Sequence, residues 1–262
     1  MALTTILGIL FGFILMIAGI MLQGSIMDYW DVASLVIVLG GTLTATIASY
    51  SAKDLKMLPK IFKTAFTNHE HDMNGVIDQI IELANIARRD GLLALDNKAN
   101  EIDDPYMKKG IMLVVDGTDP ELIRNIMETE LTFIEERHGV GQSMMKSMSA
   151  FSPAFGMAGT LIGLISMLKN LNDSSTLGQG MATALITTFY GVLFANLCFT
   201  PIANKLEGIT EREIRYNELI LEGLLAIQAG ENPRLIEEKL VSFLAKNEKR
   251  ESSDDLGEGE EM

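Results

Sequence analysis

Ser147-Met-Ser-Ala-Phe-Ser-Pro-Ala-Phe-Gly-Met-Ala-Gly-Thr-Leu-Ile-Gly-Leu-Ile-Ser-Met-Leu168 decides how the rest of the chain is read. It carries no charge and is long enough as a helix to cross the hydrocarbon core of a bilayer, about 30 Å. It is also dense in residues a simple anchor does not need: Pro153, Gly156, Gly159, Thr160 and Gly163. Gly180-Met-Ala-Thr-Ala-Leu-Ile-Thr-Thr-Phe-Tyr-Gly-Val-Leu-Phe-Ala-Asn-Leu-Cys-Phe-Thr-Pro-Ile-Ala203 has the same character, with Thr187, Thr188, Gly191 and Pro201. Small residues let helices approach closely, and hydroxyls line a polar seam. Neither span holds an Asp or Glu that could bind and release a proton.

Working outward, Leu3 to Leu22 and Ala33 to Tyr50 are two further apolar runs joined by the polar stretch Gln23 to Asp31. The first lacks a preceding basic residue and a small-x-small cleavage site, so it reads as an anchor rather than a signal peptide. The spans are expected at 3–22, 32–51, 147–169 and 179–204. The two hairpins differ: the first is Ile- and Leu-rich and lipid-facing, whereas the second lines something. Gly8-x-x-x-Gly12 and Gly159-x-x-x-Gly163 are both expected to serve tight helix packing.

Of 21 Lys and Arg, 12 fall between Lys53 and Lys146 and 8 from Lys205 onward. The positive-inside rule then puts both termini and the middle segment in the cytoplasm, with Lys53, Lys56, Lys60 and Lys63 directly flanking the second span. A net charge of −14 argues against nucleic acid as a partner. Cys198 is the sole cysteine, which excludes an internal disulfide and reads as packing.

The region 52–146 reads as a helical domain. Val76, Ile77, Ile80, Ile81, Leu83, Ala84 and Ala87 give a helix over 74–89, which Gly91 stops. A second helix spans Pro105 to Val115; Asp116 and Gly117 then turn the chain, and Thr118 or Asp119 caps a long helix. Gly139 and Gly141 are expected to loosen that helix before it enters the third span, and the fourth span continues outward to Gly230. Asn232 and Pro233 cap a short helix, completing 205–247, and 248–262 reads as an acidic, disordered tail. The fold class is therefore all-α: four membrane helices, a helical cytoplasmic domain between the second and third, and cytoplasmic extensions of the third and fourth.

No phosphate loop, nucleophile elbow or His-Glu-x-x-His helix is present, so no enzymatic activity and no cofactor are expected. His69-Glu70-His71 lacks matching ligands for a metal and reads as exposed. The hydroxyls of the second hairpin can replace water around a cation or bond back to their own backbone. Pro153 and Pro201 each remove a backbone donor at similar depth on adjacent helices, giving either a hinge or a static kink. The charged set from Arg88 to Asp104 suits either a solvated surface or a protein-docking face.

The stretch from Pro153, then Ala184-Leu-Ile-Thr-Thr-Phe-Tyr-Gly-Val-Leu-Phe-Ala-Asn, Pro201-Ile-Ala-Asn-Lys-Leu, Ala87-Arg-Arg-Asp-Gly-Leu-Leu-Ala-Leu, Lys109-Gly-Ile-Met-Leu-Val-Val-Asp-Gly and Gly223-Leu-Leu-Ala-Ile-Gln-Ala-Gly-Glu-Asn-Pro-Arg resemble the MotA/PomA family of flagellar stator subunits. The resemblance implies five copies around a dimer of a MotB-like subunit that supplies the ion-carrying Asp, in the bacterial plasma membrane. It implies torque on the rotor switch protein FliG through Arg88, Arg89 and Asp96, ion-path hydroxyls at Thr160, Thr187 and Thr188, and coupling through Pro153 and Pro201. Asp96 stands where the family usually has Glu, and Asn97 where sodium-driven members have another acid. The transported cation is H+ or Na+, and the doubled Thr187-Thr188 leans toward Na+. The alternative is the ExbB/TolQ class of ion-driven motors that energise envelope processes; a secondary transporter and a structural scaffold are further readings.

Overall fold

The computed structural model describes residues 2–67, 71–169 and 174–244, and among these every regular element is helical. His69, Glu70 and the acidic tail lie outside the described residues. The chain divides into two compact units, Met1–His69 with Glu136–Thr210, and Glu70–Glu135 with Glu211–Met262.

Among the described residues four helices are long and apolar enough to cross a membrane, two wholly in the first unit and two shared between the units. Helix α1 is Ala2–Gln23 and α2 is Val32–Ser49, the latter with a π turn over Val36–Gly40. Two short helices follow, α3 (Ala52–Leu55) and α4 (Leu58–Phe66). The third span belongs to the 50-residue helix α8 (Pro120–Lys169). The fourth belongs to α9 (174–228), composed of Ser174–Phe194, a π turn Ala195–Phe199 and Thr200–Gln228. Its helix begins at Ser174, ahead of the expected start at 179.

Packing within this unit is graded. No residue of Ile6–Gln23 is buried, whereas more than a third of the fourth helix's window is. Gly8 faces open space, and a Cβ on Gly12 would meet only the Leu197 side chain. The first Gly-x-x-x-Gly thus makes no close backbone contact within the chain, because the long leucine keeps α1 and α9 apart. The second does: a Cβ on Gly163 would come within 2.7 Å of the Gly180 carbonyl oxygen. Gly41 of α2 receives the Phe155 ring, and Tyr50 and Ser147 share a hydroxyl hydrogen bond of 2.8 Å. Gly139 and Gly141 do not interrupt α8; Gly141 lies against Ile61, so tertiary contact holds the helix where propensity alone would weaken it.

The second unit comprises α5 (Met73–Asp90), α6 (Leu95–Ala99), α7 (Pro105–Val115), the start of α8, the end of α9 and α10 (Pro233–Val241). Caps set these boundaries. Asp104 Oδ1 accepts from the Tyr106 and Met107 amides at 2.9 Å, with Pro105 in the first turn. Asp119 plays that part for α8, accepting from the Glu121 amide at 3.0 Å. Gly91 stops α5 at φ +87°, a backbone value only glycine takes freely. Ile80, Leu95, Met107, Ile111, Ile123, Met127, Leu219, Leu224 and Ile236 are almost wholly buried together and form the core.

Candidate functional site

The seam between α8 and α9 is made by backbones in near contact. A Cβ on Gly156 would sit 3.0 Å from the Thr187 carbonyl oxygen, and one on Gly191 would sit 2.8 Å from that of Ser152. Only hydrogen fits in those places. Ser152, fully buried, donates to the Gly191 carbonyl at 3.0 Å, so this approach is also hydrogen-bonded.

The three threonines separate on this frame. Thr160 and Thr188 share a hydroxyl hydrogen bond of 2.5 Å across the seam. Thr160 Oγ1 also lies 3.1 Å from the carbonyl oxygens of Gly156 and Ala184. With one proton each, one hydroxyl donates to the other, the recipient donates to a carbonyl, and a lone pair stays open. That opening faces outward, since Thr188 is exposed and shares its stripe of α9 with exposed Met181, Leu185 and Val192. Thr187 is turned away from it. Consecutive helical residues point about 100° apart, so when Thr188 faces out Thr187 is fully buried, with its methyl over Gly159. Its hydroxyl donates within its own helix, 2.9 Å from the Thr183 carbonyl and 3.0 Å from that of Ala184. Of the two uses open to a span hydroxyl, Thr187 takes backbone bonding.

Pro153 and Pro201 are drawn to one level. Ser149, the residue whose carbonyl Pro153 cannot serve, shares a 2.6 Å hydroxyl hydrogen bond with Thr200, which precedes Pro201. The missing Pro201 donor coincides with the π turn Ala195–Phe199, where the backbone register shifts within the span. Sequence reasoning missed Ser152 and the Ser149–Thr200 link as connectors. Their signal was present, since Ser149, Ser152, Gly156 and Gly163 fall at helical spacing and make one small-residue face of the third span. It also missed Asp31, which accepts from the amide and hydroxyl of Ser34; buried Ser34 in turn lies 3.4 Å from the Thr183 carbonyl.

In the second unit, Arg88, Arg89 and Asp96 are all exposed. Arg89 is held by its neighbour, with Nη2 2.8 Å from Asp90 Oδ2. That hydrogen bond also lowers the Asp90 carboxyl below its ordinary range. Arg88 and Asp96 make no ion pair among the described residues, and Arg88 borders a small cavity of about 120 Å³ with Leu92 and Gln228. Lys98 pairs locally with Glu101 at 2.9 Å and ties α6 to α5 through Glu82 at 3.8 Å. His71 stacks on Tyr216 with ring centroids 4.5 Å apart, and no group of metal ligands occurs among the described residues. Cys198 is half-buried beside Phe199 and Ile202.

Comparison with known proteins gives this arrangement a setting. Residues 98–219 match the model of the MotA/TolQ/ExbB proton channel family. Motility protein A of Borreliella burgdorferi is 43% identical over 229 residues, covering 87% of this chain and 88% of that one. The solved structure of C. jejuni MotAB superposes with a TM-score of 0.89 at 31% identity, over 94% of this chain and 97% of its own. The flagellar MotAB stator complex from Bacillus subtilis superposes with a TM-score of 0.87 at 30% identity, over 92% and 96%.

Proposed function

The chain belongs to the MotA/TolQ/ExbB proton channel family, on the branch of the flagellar motility proteins, and we propose a division of labour for its work as a stator subunit. The stator converts an ion gradient into rotation. In this reading the chain supplies the wall of the ion path and a MotB-like subunit supplies the charge. The observation that carries it is the Thr160–Thr188 pair, a hydroxyl site without a carboxylate, open onto an apolar face formed by Leu185 and Val192. A face of that kind suits a partner helix, and a carboxylate on such a helix meets the hydroxyls where lipid tails offer nothing.

Each ion crossing releases about 2.3 kcal/mol per elementary charge per 100 mV of potential. An ion moving on and off the partner carboxylate changes that group's charge against the Thr160–Thr188 site. Pro153 and Pro201, joined through Ser149 and Thr200, lie where the register of α9 shifts and are placed to turn that change into helix movement. Thr187 acts behind the path, setting helix spacing on Gly159. Five copies around a partner dimer, with both termini and the second unit on the cytoplasmic side, complete the assembly. The second unit then meets FliG through Arg88 and Asp96, the two of the three expected rotor-facing charges that make no ion pair among the described residues. Four spans and the motility relatives favour this over an envelope-energising role.

The test is complementation of swimming in a strain lacking its own copy of this subunit. Thr160→Ala and Thr188→Ala are expected to abolish or strongly slow swimming, with Thr160→Ser restoring it, while Thr187→Val retains it. Full speed in both alanine variants overturns the path. Speed in sodium-free medium, set against speed with a proton uncoupler, identifies the ion.

A further inference from the structure

We propose that α3 and α4 form a docking surface for anionic phospholipid headgroups, with Lys53, Lys56, Lys60 and Lys63 as the contacting groups. Their spacing of three, four and three residues puts them on one side of a helix, and Lys56 and Met57 between the two short helices stay in the right-handed helical region, so the register carries through. All four lysines are exposed and none has an ion-pair partner among the described residues. The one acid among them, Asp54, is engaged with the Ser51 hydroxyl at 2.6 Å.

The opposite face fixes where this stripe lies. Ile61 and Ala65 are buried against Met144, Met148 and Ile202. Met148 and Ile202 fall at the ends of the third and fourth apolar runs, so α4 is held at the level where those spans leave the membrane. The second span gives the same level independently: it ends at Ser49, and Lys53 follows within about 14 Å of even fully extended chain. A lysine stem adds reach and keeps its ammonium among headgroups. Phe66 is exposed at the end of α4 and offers an apolar anchor beside the charges.

Charge distribution selects the occupant. The first unit holds 8 of the 21 basic residues and 6 of the 35 acidic ones, so it is slightly positive while the remainder of the chain is strongly negative. An unpaired basic stripe at the membrane boundary of an acidic protein meets a surface of phosphate diesters before it meets anything else. Each lysine near an anionic surface contributes enough to change partitioning roughly fivefold.

The experiment uses the full chain in mild detergent, titrated with phosphatidylglycerol and with phosphatidylcholine, reading lipid retained per chain by mass spectrometry. Wild type is expected to prefer phosphatidylglycerol, with the preference falling as salt rises. Lys60→Gln lowers the preference roughly fivefold, and replacing all four lysines by Gln removes it. Replacing all four by Arg preserves it, which separates charge from folding. Undiminished preference in Lys60→Gln overturns the proposal, as does an equal loss in the control Lys108→Gln. A change in oligomer size with unchanged lipid preference assigns the stripe to a second copy and also overturns it.

Discussion

The seam between α8 and α9 and the core of the second unit are both tight, but they are tight in different ways. In the core, long side chains fill the space: Leu224 and Met127 close over Gly110 with their terminal carbons, and Ile80 does the same over Gly223. In the seam, backbone meets backbone: a Cβ on Gly156 would lie 3.3 Å from the Gly191 Cα, and one on Gly191 would lie 2.8 Å from the Ser152 carbonyl oxygen. A core of flexible ends can repack, whereas a seam of carbonyls has nothing that rotates out of the way. The seam therefore fixes helix phase closely enough to hold two hydroxyls in register, and the core only has to exclude water.

The sharpest way to break this contrast is to place one methyl in each region. Gly191→Ala puts carbon 2.8 Å from the Ser152 carbonyl oxygen and 3.1 Å from the Pro153 Cα, both backbone atoms, so α8 and α9 must separate. A loss of about 3 kcal/mol is expected, together with loss of swimming through displacement of Thr188 from Thr160. Gly110→Ala meets Leu224 Cδ1 at 2.3 Å and Met127 Cε at 2.9 Å, closer in distance but at movable ends. Its expected cost is about 1 to 2 kcal/mol, with swimming retained. Thermal unfolding of the purified full chain and swimming speed measure both. Equal effects would dissolve the distinction.

How much of this was legible beforehand follows the same division. Helix boundaries in the second unit were readable because local chemistry sets them: Asp104 with Pro105, Asn232 with Pro233, and glycines at 91 and 230 with positive φ. The helix pair over 52–66 was not recognised, because four lysines break its apolar run and half of its apolar periodicity answers to partners on α8 and α9. The Thr187–Thr188 pair is the most telling case. The sequence marks both as hydroxyls in a span, and only the rotational phase of α9, set by contacts at Gly156, Gly159 and Gly163, decides that Thr188 is exposed and Thr187 packed against Gly159. The two Gly-x-x-x-Gly patterns are identical as text and opposite in use within the chain, since what differs is the helix each one faces.

A smaller effect tests the polar margin of the core. Glu222 accepts from Arg124 at 2.9 Å and from Lys239 at 2.9 Å, joining α8, α9 and α10. Burial pushes its carboxyl up, but the hydrogen bonds from Lys239 and Arg124 outweigh that and hold it below its ordinary range. A lowered folded value means the contribution is present above the unfolded value and is lost as pH falls through the folded one. Glu222→Gln should cost roughly 1 kcal/mol at neutral pH, with the deficit against wild type shrinking as the medium is taken below the ordinary carboxylate range. Unfolding midpoints compared across that range check it; a deficit that does not change with pH assigns the loss to geometry rather than charge.

The smallest expected effect lies at Tyr106, a fully packed core side chain of the second unit that carries a hydroxyl into the apolar interior. Its ring is buried, and its hydroxyl donates to the Met127 carbonyl at 3.3 Å, a long bond to an oxygen that already accepts within α8. Burial is the first cause raising this phenol far above its ordinary value, so it stays a neutral donor at any physiological pH. Tyr106→Phe keeps the ring and removes only that donor, leaving a carbonyl that the helix still satisfies. The expected loss is about 0.5 kcal/mol, read as a small drop in unfolding midpoint with swimming unchanged. Removing one hydroxyl from the core thus costs little because side-chain volume holds it together, while removing one from the Thr160–Thr188 pair is expected to abolish or strongly slow swimming if those hydroxyls line the ion path as proposed.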